Sequence, residues 1–148
     1  MIWMPHATVA TIVRQNNQFL MVEELISGQP VFNQPAGHIE AGELIAEAAL
    51  RETLEETGWQ VELTDFMGVY TYLAPSNGEI YYRMCFGANP IEQISTELDE
   101  GIVAAHWLTY DEILARKSAL RSPLVKQCID DYLAGQRFPL SMIKEFIK

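Results

Sequence analysis

Short β-rich blocks of apolar residues dominate the first forty positions, a helical period follows, and strand-like blocks then return. His6-Ala7-Thr8-Val9-Ala10-Thr11-Ile12-Val13 reads as a strand, the polar Gln15-Asn16-Asn17 as a turn, and Phe19-Leu20-Met21-Val22 as the returning arm of a hairpin. From Gly42 the pattern changes. No Pro or Gly interrupts positions 43–57 and Gly58 stands where a C-cap glycine belongs, which predicts one helix of about 14 residues. Positions 66–73 and 80–86 read as strands flanking Ala74-Pro75-Ser76-Asn77-Gly78-Glu79, in which Asn-Gly is a favoured pair for a tight hairpin turn. A short strand is expected over 101–107 and a short helix over 111–116. After Arg121-Ser122-Pro123, residues Leu124, Val125, Cys128, Ile129, Tyr132 and Leu133 recur at helical spacing and stop near Gly135. Strands and helices are mixed, so an α/β fold is expected, with a sheet covered by helices on both faces in one domain spanning 1–148.

Composition agrees with a folded chain, at 49% hydrophobic and 20% charged residues. Ten Lys plus Arg against twenty Asp plus Glu leave a formal charge of −10, which disfavours a grip on nucleic acid or anionic lipid. No apolar run approaches the roughly 20 residues of a membrane helix, and Met1-Ile2-Trp3-Met4-Pro5 lacks the basic-then-apolar order of a leader, so a cytoplasmic protein is expected. Cys85 and Cys128 have no CxxC or metal-ligand spacing and are expected to be buried, reduced thiols. Monomer and homodimer are both compatible with the sequence. An acidic protein that binds a phosphate compound needs divalent cations to bring two negative partners together.

One stretch meets that need. Gly37-His38-Ile39-Glu40-Ala41-Gly42-Glu43 is followed after seven residues by Arg51-Glu52-Thr53-Leu54-Glu55-Glu56-Thr57-Gly58. On a helix Glu52, Glu55 and Glu56 are related as i, i+3 and i+4 and share one face. Like charges so placed repel unless a cation sits among them, and an oxygen-only donor set suits Mg²⁺, with Mn²⁺ as a substitute. Ala48 and Ala49 are expected on that working face, leaving room for a phosphate chain, with Leu50 and Leu54 packing on the opposite side. Arg51 adjoins the carboxylates and can orient one of them. Asn33-Gln34-Pro35-Ala36-Gly37 precedes the helix as a tight loop whose carbonyls can complete a metal shell, with Gly37 allowing close approach.

Seven fixed positions, Gly37, Glu43, Arg51, Glu52, Glu55, Glu56 and Gly58, match the loop-helix-loop signature of the Nudix hydrolases, which this chain resembles. A chance match has odds on the order of 10⁻⁶. Thr53 and Trp59 depart from the aliphatic residues usual at their slots, and Ala36 stands where a further glycine is common; the first two concern helix docking and not the metal face. The resemblance implies an α/β/α sandwich with a mixed sheet, and attack of water on a nucleoside diphosphate linked to another group, assisted by Mg²⁺ ions. It implies Glu55 and Glu56 as principal metal ligands and Glu52 as general base, sharing in ligation. In many members the base comes from a late loop, so Asp99 or Glu100 of Glu97-Leu98-Asp99-Glu100-Gly101 is the alternative.

Substrate contacts are read less directly. Tyr70, Tyr72, Tyr82 and Phe32 are candidates to stack on a nucleobase, and Arg83 to bind a phosphate or else to form a cross-strand ion pair. His38 is the histidine nearest the loop. Pro75, sixteen positions past Trp59, resembles a marker of ADP-ribose-cleaving members. Against it, Val22-Glu23-Glu24, Phe32-Asn33-Gln34-Pro35-Ala36-Gly37-His38, Leu120-Arg121-Ser122-Pro123-Leu124-Val125 and Gly135-Gln136-Arg137-Phe138-Pro139-Leu140 resemble a bacterial phosphatase branch. That branch implies phosphate release from nucleoside tri- and diphosphates and from a thiamine-precursor pyrimidine pyrophosphate. An ADP-ribose or dinucleotide pyrophosphatase and a non-catalytic nucleotide-sensing module are the rival readings.

Overall fold

The computed structural model describes residues 2–147. Seven strands form one sheet: β1 (His6–Gln15), β2 (Gln18–Ile26), β3 (Gln29–Asn33), β4 (Ala36–His38), β5 (Trp59–Leu73), β6 (Ile80–Gln93) and β7 (Ile102–Thr109). Three helices, α1 (Ile45–Thr57), α2 (Tyr110–Ala115) and α3 (Pro123–Leu133), join them. The strand order is β3-β2-β1-β6-β5, with β4 on β1 and β7 on β2. Strands β1 and β6 run parallel from His6↔Tyr81 to Val13↔Ala88, while the other pairings are antiparallel, so the sheet is mixed.

Strands β1 and β2 pair only beside their turn, at Arg14↔Phe19 and Gln15↔Gln18. Beyond it they part: β1 is flanked by β4 and β6, and β2 by β3 and β7. Positions 33–36 carry the chain from one half of the sheet to the other, and the functional cleft lies at that crossing.

The continuous apolar block of β1 is explained by burial on both faces. Val9 packs with Ala48, Ala49, Phe66 and Phe86 under α1, whereas Ala10 and Ile12 join Met21, Met67, Cys85, Val125, Cys128 and Ile129 under α3. Alternate residues therefore serve opposite helices, as the strand period of two requires. The α/β/α layering expected from the sequence is present. Cys85 and Cys128 are free and buried. No helix among the described residues is long and apolar enough to cross a membrane.

Two expectations are corrected. Ala48 and Ala49 are 0% and 1% exposed and face the sheet, while Leu50 and Leu54 are exposed. The small residues let α1 lie close to the strands, and the leucines are the outward ones. The packing face of α1 also carries two buried threonines: Thr53 Oγ1 lies 2.8 Å from Thr11 Oγ1 and donates to the Ala49 carbonyl at 2.8 Å, and Thr57 Oγ1 donates to the Thr53 carbonyl. The departure at Thr53 thus docks the helix through hydroxyls. Second, Asn77-Gly78 is not a two-residue hairpin turn. Leu73↔Ile80 closes a six-residue loop in which the Ala74 amide donates to the Glu79 carbonyl and Asn77 Oδ1 accepts from the Glu79 amide. Ser27-Gly28, with φ of 52° and 78°, makes the two-residue turn, between β2 and β3.

Candidate active site

Helix α1 ends at Gly58, whose φ of 77° is left-handed and whose amide donates to the Leu54 carbonyl. About two turns earlier Arg51 organises the acidic row. Its Nε and Nη2 donate to both oxygens of Glu43 at 2.6 and 3.0 Å, Nη1 donates to Glu55 Oε1 at 2.9 Å, and Nη2 donates to the His38 carbonyl at 3.0 Å. Glu52 Oε2 lies 3.3 Å from Nη1. These bonds hold the Glu43 carboxyl below the usual carboxylate range and push the already high pKa of Arg51 higher. Arg51 thus contacts Glu43, Glu52 and Glu55 together.

Gly37 on β4 meets the row from the other side. A Cβ there would lie 1.9 Å from Glu52 Oε2, so only glycine admits this approach. Burial, reinforced by Glu55 and Asp99 and opposed by Arg51, raises the Glu52 carboxyl.

The loop after β6 completes the cluster. Gly58 anchors it, because its carbonyl accepts from the Ile94 and Ser95 amides, and the Asp99 amide donates to the Glu55 carbonyl at 2.9 Å. Carboxylate oxygens of Glu52, Glu55 and Asp99 then lie within 4.8 Å of one another. A set of three oxygens, with Arg51 committed mainly to Glu43 and Glu55, fits a hard divalent cation. Glu56, expected beside Glu55 as a ligand, stands outside this trio. Its Oε1 accepts from the Ala36 amide at 2.9 Å, and burial, with Glu52, Glu24 and Asp99 adding, pushes its carboxyl up to about 8. Glu100 is exposed and outside the trio, so of the two loop acids the fold brings only Asp99 to the row.

A cleft of about 310 Å³ opens beside Glu56 and Gly37. Tyr72, Tyr81, Arg83, Asn33, Glu24, Arg121 and Ser122 are among the residues that line it. Arg83 is 6% exposed and the alternative read for it, a cross-strand ion pair, is not formed among the described residues: Nη1 donates to Gln34 Oε1 at 2.8 Å and Nη2 to Asn33 Oδ1 at 3.1 Å. Phe32, expected as a stacking residue, is 8% exposed and belongs to the core beneath Arg116, so it does not line the cleft. Its strand position turned it inward with Ala10 and Met21. Tyr70 packs against the same core and donates to Asp131. His38 lines the cleft mouth, with Nε2 2.7 Å from His6 Nδ1; His6 stacks on Tyr81 and is paired with Glu79. Burial and the neighbouring His6 lower the His38 pKa. Missed in the sequence were Tyr81, two residues from Arg83 on β6, and the side chains of Asn33 and Gln34, noticed only for their carbonyls; the proximity of these two to Arg83 is a product of the crossing at 33–36.

Comparison with known proteins agrees with this geometry. The family model of the NUDIX domain matches residues 4–128, a span containing Gly37, α1 and the Asp99 loop. Over 144 residues the chain is 44% identical to phosphatase NudJ of Escherichia coli (strain K12), covering 96% of this chain and 92% of that protein. The solved NUDIX hydrolase from Nitrosomonas europaea superposes with a TM-score of 0.93 at 42% identity, over 97% of this chain and 98% of that one. The NUDIX domain of Shewanella oneidensis NrtR, solved in complex with ADP ribose, shares the fold with a TM-score of 0.72 at 14% identity, over 90% of each chain. A row of carboxylates on α1, oriented by Arg51 and approached by Gly37, within a domain matched over most of its length, makes this chain a member of the Nudix family of phosphohydrolases.

Proposed function

We propose that the protein hydrolyses phosphoanhydride bonds of nucleoside tri- and diphosphates and related pyrophosphates, releasing phosphate, in the manner of a NudJ-type phosphatase. A thiamine-precursor pyrimidine pyrophosphate belongs to the same proposed range. The observation that carries the reading is the trio Glu52, Glu55 and Asp99, with oxygens within 4.8 Å beside the Gly37 backbone. These residues would hold Mg²⁺, or Mn²⁺ in its place, and Glu56 has Oε2 left to join them. The cation supplies charge neutralisation at the phosphate oxygens and Lewis acidity. Glu52, desolvated between α1 and β4, accepts the proton of the attacking water as a phosphorus–oxygen bond forms and the bridging bond breaks. Arg51 keeps the row in register, Asp99 shares ligation or takes the proton, and Tyr72 and Arg83 contact the remainder of the substrate.

Orthophosphate release from a panel of nucleotides, pyrimidine pyrophosphates and ADP-ribose, with and without Mg²⁺, tests the reading. Phosphate from tri- and diphosphates only with Mg²⁺ is expected; AMP from ADP-ribose indicates a dinucleotide enzyme, and no turnover of any compound indicates a sensing module. Glu52→Gln is expected to lower kcat by about 10²- to 10⁴-fold. Turnover within about tenfold of the parent in that variant, with loss in Asp99→Asn, reassigns the base to the loop.

A further inference from the structure

Arg83 presents an anomaly that the hydrolytic row does not explain. A guanidinium 6% exposed is expected to face a carboxylate, because an uncompensated buried charge is costly. Among the described residues none lies within ion-pair distance of it. Its protein acceptors are neutral: Gln34 Oε1 and the Cys128 thiol, 3.8 Å away, for Nη1, and Asn33 Oδ1 for Nη2. Gln34 is itself fixed, since its Nε2 donates to the Val125 carbonyl of α3 at 2.6 Å. The guanidinium is therefore clamped between β3 and α3 without being neutralised.

Five N–H groups are available to an arginine. Both on Nη1 and one on Nη2 are taken, which leaves Nε–H and one Nη2–H, on the two nitrogens that make the side-on fork of arginine. Arg83 lines the same cleft as Glu56 and Gly37. From this geometry we infer that Arg83 is an anion-binding residue that takes a phosphoryl group of the substrate through its Nε and Nη2 donors, in the cleft that Glu56 and Gly37 also line. Planar guanidinium and paired phosphate oxygens match in spacing, and the charge left uncompensated in the free protein is compensated by the ligand. Asn33 and Gln34 are positioning residues, because neutral acceptors orient the fork without competing for its charge. The inference rests on the hydrolytic reading for the identity of its ligand and refines it: Arg83 adds a second hold on the phosphate chain besides the carboxylate row, so recognition is directed first at the diphosphate and only then at the group attached to it.

The test uses methylenediphosphonate, a non-hydrolysable diphosphate analogue, and adenosine and cytidine, which carry bases and no phosphate. In the intact protein with Mg²⁺, the side-chain ¹⁵Nε–¹H resonance of Arg83, assigned by its loss in Arg83→Lys, is expected to shift on addition of the diphosphonate and to stay in place with either nucleoside. As competitive inhibitor of nucleotide turnover, the diphosphonate is expected to bind Arg83→Gln about ten- to a hundredfold more weakly, with Arg83→Lys intermediate and nucleoside inhibition within about twofold of the parent. A resonance that moves with nucleosides and not with the diphosphonate, or unchanged diphosphonate inhibition in Arg83→Gln, overturns the inference and assigns the arginine to the base. The shift is read in the unmutated protein and needs only the conservative Arg83→Lys for its assignment, so instability of Arg83→Gln does not remove the test. Failure of the hydrolytic reading shows separately, as no turnover of any nucleotide while the resonance still reports binding.

Discussion

Gly37 and Glu52 illustrate how a single atom decides the site. The space a Cβ would take at Gly37 is filled by the Glu52 carboxylate, so Gly37→Ala must displace that side chain from its present place beside Glu55 and Asp99. A displacement of this size at a catalytic carboxylate is expected to lower kcat by about a hundredfold while the fold persists. Steady-state kinetics alongside circular dichroism check it, and parental kcat in a folded variant contradicts the close approach. Glu56 gives a pH signature. Its folded pKa of about 8 lies above the ordinary 4.5, so between these values the folded protein holds a proton that the unfolded chain has released. Its contribution to stability is full below pH 4.5 and is lost as pH rises through 8. The metal-free protein is therefore expected to lose Tm over this window relative to Glu56→Gln, which keeps an acceptor for the Ala36 amide. Parallel profiles for the two proteins would remove the shift.

At the scale of elements, α1 depends on segments remote in sequence. Its first amides, Ile45 and Ala46, donate to the carboxylate of Glu145, at 2.6 and 3.4 Å, where Leu44 offers no side-chain cap. Glu145→Ala is expected to cost about 0.5–2 kcal/mol of stability, as loss of a capping acceptor does. Denaturant unfolding measures it, and a variant as stable as the parent shows the contact to be incidental. At the other end Gly58 is required twice, by its left-handed φ and because a Cβ would meet the Ser95 carbonyl oxygen at 1.8 Å. The helix stop read in the sequence is thus also the seat of the loop that delivers Asp99. The period of α1 was legible, whereas its orientation was not. Alanines and leucines both satisfy a helical pattern, and which of them meets the sheet depends on how closely the strands lie.

For the whole molecule, the parting of β1 and β2 past their turn makes the cleft, and the net charge of −10 makes cations its natural partners. Mg²⁺ that binds the folded chain alone is expected to raise stability by about 2.7 kcal/mol at a hundredfold excess over its Kd. Thermal unfolding of chelated protein with and without Mg²⁺ reads this directly. A Tm indifferent to Mg²⁺, with turnover still requiring it, means that the cation arrives on the substrate. The sequence by itself determined the mixed fold, the helix that bears Glu52, Glu55 and Glu56, and the glycines that bound it, because period, capping and spacing are local properties of a chain. Tertiary structure alone decided that Asp99 joins Glu52 and Glu55 while Glu56 turns to Ala36, that Phe32 enters the core, and that Arg83 faces the cleft between neutral partners. Those outcomes depend on which strands become neighbours, and neighbours far apart in sequence leave no mark in a local pattern.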